Sequence, residues 1–222
     1  MEQFLWVILP YITLIFFFAG LVHRYKYDQF GWTTKSSEIF EKKQLRIGAP
    51  VFHFGLLMVL GGHIMGVLVP ISIWDTFGVT EEMYHMNALM GGIPAGLAVV
   101  CGLSILIYRR YANEKIRLNT SKSEVITLVF LAFVVFSGYL STICNIQNNG
   151  FDYRTTIGPW FRSLFFFSPD AALMTTIPWW FKLHMISWMG LIAVLPFTKL
   201  VHMLSLPFRY YGRNYIIYRK RG

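Results

Sequence analysis

The chain has 222 residues, of which 55% are hydrophobic, 18% aromatic and only 14% charged, with a mean hydropathy of +0.48. A soluble domain of this length has too little interior to bury so much apolar surface, so composition excludes one and points to an integral membrane protein. The net charge of +9 invites a nucleic-acid partner, a class that the placement of the basic residues removes below.

A spanning helix needs about 20 mainly apolar residues. Five stretches qualify: 4–23, 49–70, 83–108, 124–145 and 179–204. The first has no basic lead and no small-residue cleavage site, and it closes on His23, Arg24 and Lys26; a retained helix is expected there rather than a signal peptide. The second is opened by Pro50, closed by Pro70, and carries His53 and His63 in FHFGLLMVLGGHIMG. The third starts near His85 in EEMYHMNALMGG and holds Pro94 and Cys101. The fourth holds Cys144. With no CxxC and no CxxCH, neither a cluster or structural zinc nor a covalently attached haem is expected of this chain. A disulfide is not expected either, because the two cysteines fall at different depths. The following stretch, GFDYRTTIGPWFRSLFFF, is aromatic and weakly charged, and is expected to lie along a membrane interface. The fifth carries His184 and His202 in FKLHMISWMGLIAVLPFTKLVH, with Lys182 and Lys199 near its ends and Pro207 beyond it; their long stems can snorkel. Pro94 and Pro196 should bend their helices, which membrane bundles tolerate. The expected architecture is an all-α, five-transmembrane-helix bundle forming a single domain over 1–222, without internal repeats.

Basic residues set the orientation of such a bundle. Arg24, Lys26, Lys35, Lys42, Lys43 and Arg46 follow the first span, and Arg109, Arg110, Lys115, Arg117 and Lys122 follow the third. Lys199, Arg209, Arg213, Arg219, Lys220 and Arg221 close the chain, while the opposite side has only Arg154, Arg162 and Lys182. Seventeen of the 20 basic residues thus share one side, which places the N-terminus outside and the C-terminus inside. Topology and anionic membrane lipid, with an acidic partner face inside, account for the charge, and no nucleic acid is expected.

An ionisable side chain within a membrane is costly and marks a functional site by default. His63 lies ten residues beyond His53, about 15 Å along a helix, and His202 lies eighteen beyond His184, about 27 Å and close to five whole turns. The two spans run antiparallel. By depth, His53 pairs with His202 near the inner surface and His63 with His184 near the outer one. Imidazole suits iron, copper or zinc. Two neutral imidazoles across a slot between helices favour bis-histidine haem, an electron carrier, and Gly55, Gly61, Gly62 and Gly66 beside the ligands allow close approach. Two other readings stay open at this point: a histidine-lined transporter of metal ions or protons, and plain helix packing. The transporter predicts acidic partners within the spans, where only Glu124 stands, at a boundary. His23 reads as interfacial. His85 opens the third span on the outer side, as an interfacial residue or a hydrogen-bond partner for a quinol.

The segments RYKYDQFGWTTKSSE, FHFGLLMVLGGHIMG, GFDYRTTIGPWFR and FKLH…LPFTKLVHMLSLP, with the ten- and eighteen-residue histidine spacings, resemble the gamma subunit of respiratory nitrate reductase, a membrane cytochrome b subunit. The resemblance runs nearly end to end. It implies two non-covalent haem b groups, the inner on His53 and His202 and the outer on His63 and His184. It implies quinol oxidation near the outer haem, in the cytoplasmic membrane. Electrons would then pass to an iron–sulfur beta subunit and on to a molybdenum-containing alpha subunit that reduces nitrate at the cytoplasmic face, in anaerobic respiration. Some family members carry a lysine at the outer start of the third span. Met83–His85 lacks one, which leaves His85 as the quinol-site candidate.

Overall fold

The computed structural model describes residues 1–28, 32, 37–147 and 151–204, and among them all regular structure is helical. A π turn, Phe4–Ile8, leads into α1 (Leu9–Tyr27). Helix α2 (Lys43–His63) runs on into a second π turn, Ile64–Leu68. A short α3 (Ile71–Thr76) follows, and the chain then turns through Gly78 at φ +69. Helix α4 (Glu81–Ala112) is capped by Thr80, whose hydroxyl accepts the Met83 N–H, with Glu81 and Glu82 in the first turn. Both features suit the positive end of a helix. Then come α5 (Glu114–Leu118), α6 (Lys122–Gln147), α7 (Ile157–Leu164) and α8 (Trp179–Val194). Beyond α8 the chain continues as two 3₁₀ turns, Leu195–Phe197 and Lys199–Leu204.

Five helices are long and apolar enough to cross a membrane: Phe4–Tyr27, Lys43–Leu68, Glu81–Ala112, Lys122–Gln147 and Trp179–Phe197. Their number and order match the five expected spans, but Pro50 and Pro196 act differently from expectation. Pro50 does not open α2; it sits inside a helix that begins at Lys43. Pro94 sits inside α4, which continues to Ala112. Pro196 is where helix is lost: α8 ends at Val194, and Thr198 is extended at φ −116, ψ 173. The carbonyls exposed by that break are satisfied from another span. Arg24 of α1 donates to Pro196 O at 2.8 Å and to Thr198 O at 2.9 Å. Lys199 is ion-paired with Glu124 at the start of α6.

Helix α2 packs along α4, α6 along α8, α4 along α6 and α1 along α8, whereas α2 and α8 share no such seam among the described residues. The α2–α4 seam is tight enough to require glycine at one point. A Cβ on Gly102 would stand 2.5 Å from Phe52 N and 2.7 Å from Phe52 Cα. Phe52, Val99 and Leu103 are buried beside it.

The aromatic stretch before α8 is not simply laid on a surface. One side of α7 is buried through Ile157, Gly158, Trp160 and Leu164. Trp160 donates its indole N–H to Trp6 O at 2.8 Å, and the two rings meet edge to face at 5.9 Å. They share a core with Met174 and Met189. Phe165, Phe166 and Phe167 remain exposed. Lys35 and the basic residues from Arg209 to Arg221 lie outside the described residues.

Candidate functional site

His53 and His63 stand on the exposed side of α2, His184 is half-buried on α8, and His202 is half-buried in the last 3₁₀ turn. The fold brings one pair together: the His63 and His184 rings lie 6.1 Å apart between centroids, at 50° to one another. Two metal–imidazole bonds of about 2 Å each, with the half-widths of the two rings, span roughly the same distance. No ring contact joins His53 to His202 among the described residues. The break at Pro196 explains why the simple spacing argument weakens there. A continuous helix of eighteen residues would carry His202 about 27 Å from His184, but the path runs through an extended residue and a 3₁₀ turn that rises about 2.0 Å per residue.

The hydrogen bonds at Nδ1 decide what each imidazole can do. His53 Nδ1 donates to Ala49 O at 2.7 Å, His63 Nδ1 to Val59 O at 2.8 Å and His202 Nδ1 to Lys199 O at 2.6 Å. A carbonyl only accepts, so this network assigns the proton to Nδ1 and the lone pair to Nε2. That is the arrangement in which a histidine ligates a metal through Nε2 while its other nitrogen is held by the protein. His184 differs, because its Nδ1 lies 3.2 Å from the Ser137 hydroxyl of α6.

The surroundings suit a bulky planar group more than a bare ion. Among the described residues, no group of three or more His, Cys, Asp or Glu side chains converges to hold a metal ion. The histidines would hold an iron whose remaining bonds a macrocycle would supply. Added Cβ atoms on Gly61 and Gly62 beside His63, and on Gly91 and Gly92 of α4, would meet nothing within 4 Å. The helices that carry the facing rings, α2 and α8, are also the ones without a shared seam. This donor set and this space fit haem.

A polar cluster adjoins the His63 end. A Cβ on Gly66, in the π turn after His63, would meet Tyr153 Cε2 at 2.8 Å and the Tyr84 hydroxyl at 3.0 Å. The Arg154 guanidinium lies 4.1 Å from the Tyr84 ring centre and is held by Asp152 at 3.1 Å. Burial, then the neighbouring Tyr84, pushes the Tyr153 phenol well above its ordinary value, so it stays a neutral donor. Arg162 of α7 donates to Val67 O at 2.7 Å within the π turn. His85, in the first turn of α4, is half-buried and makes no hydrogen bond among the described residues. His23 is exposed at the far end of α1, its ring 4.8 Å from that of Tyr27.

At the His53 end, Arg109 closes the connector between α1 and α2 onto α4. Its guanidinium is 4% exposed. It bonds Glu41 Oε2 at 2.7 Å, Ser37 Oγ and Ser37 O at 2.9 Å, and Glu41 O at 2.6 Å. Sequence reading missed Arg109, Ser137, Gly138 and the Tyr84–Tyr153 pair. The available signal was polar residues placed inside apolar stretches at helical spacing, such as Ser137 and Ser141.

Residues 2–221 match the family model for the nitrate reductase gamma subunit. The chain is 50% identical over 220 residues to the nitrate reductase gamma chain of Bacillus subtilis, covering 99% of both chains. It is 30% identical over 223 residues to the respiratory nitrate reductase 2 gamma chain of Escherichia coli, covering all of this chain and 98% of that one. It is also 36% identical over 223 residues to the nitrate reductase-like protein NarX of Mycobacterium tuberculosis, of which it covers 34%.

Proposed function

Because the chain belongs to the nitrate reductase gamma subunit family, a part of an oxidoreductase complex, we propose that it is the dihaem b-type cytochrome subunit of a respiratory nitrate reductase. In this reading it oxidises quinol near the outer side of the cytoplasmic membrane. It passes the electrons inward to an iron–sulfur beta subunit, which serves a molybdenum-containing alpha subunit on the cytoplasmic face. The observation that carries the reading is the His63–His184 pair, facing at 6.1 Å with both Nδ1 atoms engaged.

His63 and His184 would hold the outer haem and His53 and His202 the inner one; bound haem b would supply a one-electron carrier. The chain's own residues supply orientation. The carbonyls of Ala49, Val59 and Lys199 present three Nε2 lone pairs. Arg24 and Glu124 hold the broken segment that bears His202. Each quinol sheds two protons with its two electrons, and those protons need acceptors in the protein or in water. His85 supports a site at the start of α4, where an imidazole can accept a hydrogen bond or a proton from a quinol hydroxyl. The loops 23–48 and 109–122, with the basic tail, would dock the electron-accepting partner. The N-terminus would then lie outside and the C-terminus inside.

The test is the visible spectrum of the purified protein before and after dithionite. Two reducible b-type haems are expected, with His63→Ala and His184→Ala each losing the same one and sparing the other. Full haem content in both variants would overturn the ligand assignment. A colourless protein would favour an ion-conducting role for the histidines.

A further inference from the structure

Helix α6 carries none of the ligand histidines, yet it orients one of them. His53, His63 and His202 are each set by a carbonyl of their own helical segment, three or four residues back. For His184 the equivalent carbonyl is that of Trp180, which faces the Ser141 hydroxyl of α6 at 2.9 Å, a hydroxyl that also lies 2.9 Å from Ser137 O. In its place α6 presents Ser137, 5% exposed, whose Oγ lies 3.2 Å from His184 Nδ1. On the next residue, a Cβ at Gly138 would stand 2.8 Å from His184 Cε1, so the ring lies against bare backbone.

Proton counting gives the direction of this bond. A serine hydroxyl has one proton and two lone pairs. The Ser187 hydroxyl donates to His184 O at 2.7 Å, and the Ser137 hydroxyl donates to Val134 O at 3.0 Å. Ser137 Oγ is then an acceptor toward His184 Nδ1. The imidazole therefore carries its proton at Nδ1 and offers Nε2 toward His63. Ser187 Oγ lies 3.0 Å from Ser137 Oγ, close enough to share its one proton between that oxygen and His184 O.

We propose that Ser137, backed by Ser187, is a positioning residue of the His63–His184 centre: it fixes the tautomer and plane of the His184 ring and strengthens that imidazole as a donor. The inference rests on the haem reading above. An acceptor on the distal nitrogen raises the basicity of a ligating histidine, so losing it destabilises the oxidised iron relative to the reduced.

The experiment uses the haem-loaded complex purified from membranes. Potentiometric titration and low-temperature electron paramagnetic resonance read each haem separately. Ser137→Ala is expected to raise the reduction potential of the haem that is lost in His63→Ala and to move its largest g value, leaving the other haem unchanged. Ser187→Ala should shift the same signals in the same sense by less. Thr127→Val removes a buried hydroxyl of α6 that, among the described residues, bonds only Ser123 O, at 2.7 Å, and should shift neither. Unchanged signals in Ser137→Ala, or an equal shift in Thr127→Val, would overturn the proposal. Should Ser137→Ala fail to accumulate, unchanged signals in Ser187→Ala would do the same. A parent protein without reducible haem would instead refute the haem reading itself.

Discussion

Replacing Gly102 by alanine sets two effects of known size against each other. Alanine is favoured over glycine in a helix interior by about 1 kcal/mol, and α4 is helical on both sides of position 102. Against this, the new Cβ would stand 2.5 Å from Phe52 N and 2.7 Å from Phe52 Cα. Carbon atoms rest about 3.5 Å apart or more, so the two helices must part by roughly 1 Å. The obstacle is backbone rather than a side-chain tip, which places the cost toward the top of the roughly 1–3 kcal/mol typical of overpacking. The net expectation is a loss of about 1–2 kcal/mol. At about 2–4 °C per kcal/mol for a chain of this size, the unfolding midpoint should fall by roughly 2–8 °C. Gly91→Ala on the same helix is the comparison, since nothing lies within 4 Å of its Cβ; only the propensity gain should register. Tryptophan-fluorescence melts of both variants in one detergent make the measurement. Because Phe52 adjoins His53, haem held by His53 should loosen first in Gly102→Ala. A Gly102→Ala protein as stable as its parent would refute the close approach of α2 and α4.

Arg109→Met should free the connector around Ser37–Glu41 at a cost on the order of 1–3 kcal/mol, since it orphans two carbonyls and a carboxylate; limited proteolysis in detergent should cut there first. In Glu41, burial alone would raise the carboxyl pKa, but the bonds from the Gln44 N–H and Arg109 outweigh it and hold it below the ordinary range. Its contribution is therefore present above the unfolded carboxylate value and lost as pH falls through the lower folded one, so protease protection of the connector should fail only in acid, and Glu41→Gln should flatten that limb. His85→Ala should slow quinol-driven haem reduction with haem content intact; unchanged kinetics would clear His85 of a role. Reporter fusions after Gly222 and within 71–82 should report inside and outside respectively, and an externally active C-terminal reporter would reverse the orientation.

The four span histidines stood out in the sequence because imidazole is rare and costly in an apolar span, and its spacing can be read as depth. The five helices were equally open to reading, since length and hydropathy suffice. Prolines were less so. Pro50, Pro94 and Pro196 look alike in sequence, but only at Pro196 do partners on other spans, Arg24 and Glu124, hold the chain in a broken path. Such tertiary support cannot be read from local pattern. Ser137 was hidden for a related reason: hydroxyls are common in membrane helices and usually bond their own backbone, and only the docking of α6 on α8 brings this one to His184. The stretch around Trp160 was read as peripheral because its partner, Trp6, lies at the other end of the chain.

The pairing of helices also bears on how the molecule is assembled. Helices α2 and α4 form one tightly sewn pair and α6 and α8 another, with α1 laid on α8, and a less extensive join between α4 and α6 links the pairs. His63 belongs to the first pair and His184 to the second. A group held by both rings is thus a clasp across the weaker seam, and its binding free energy is folding free energy for the joint rather than for either half. The halves can form as the spans insert, but the clasp cannot fasten until the last span has arrived.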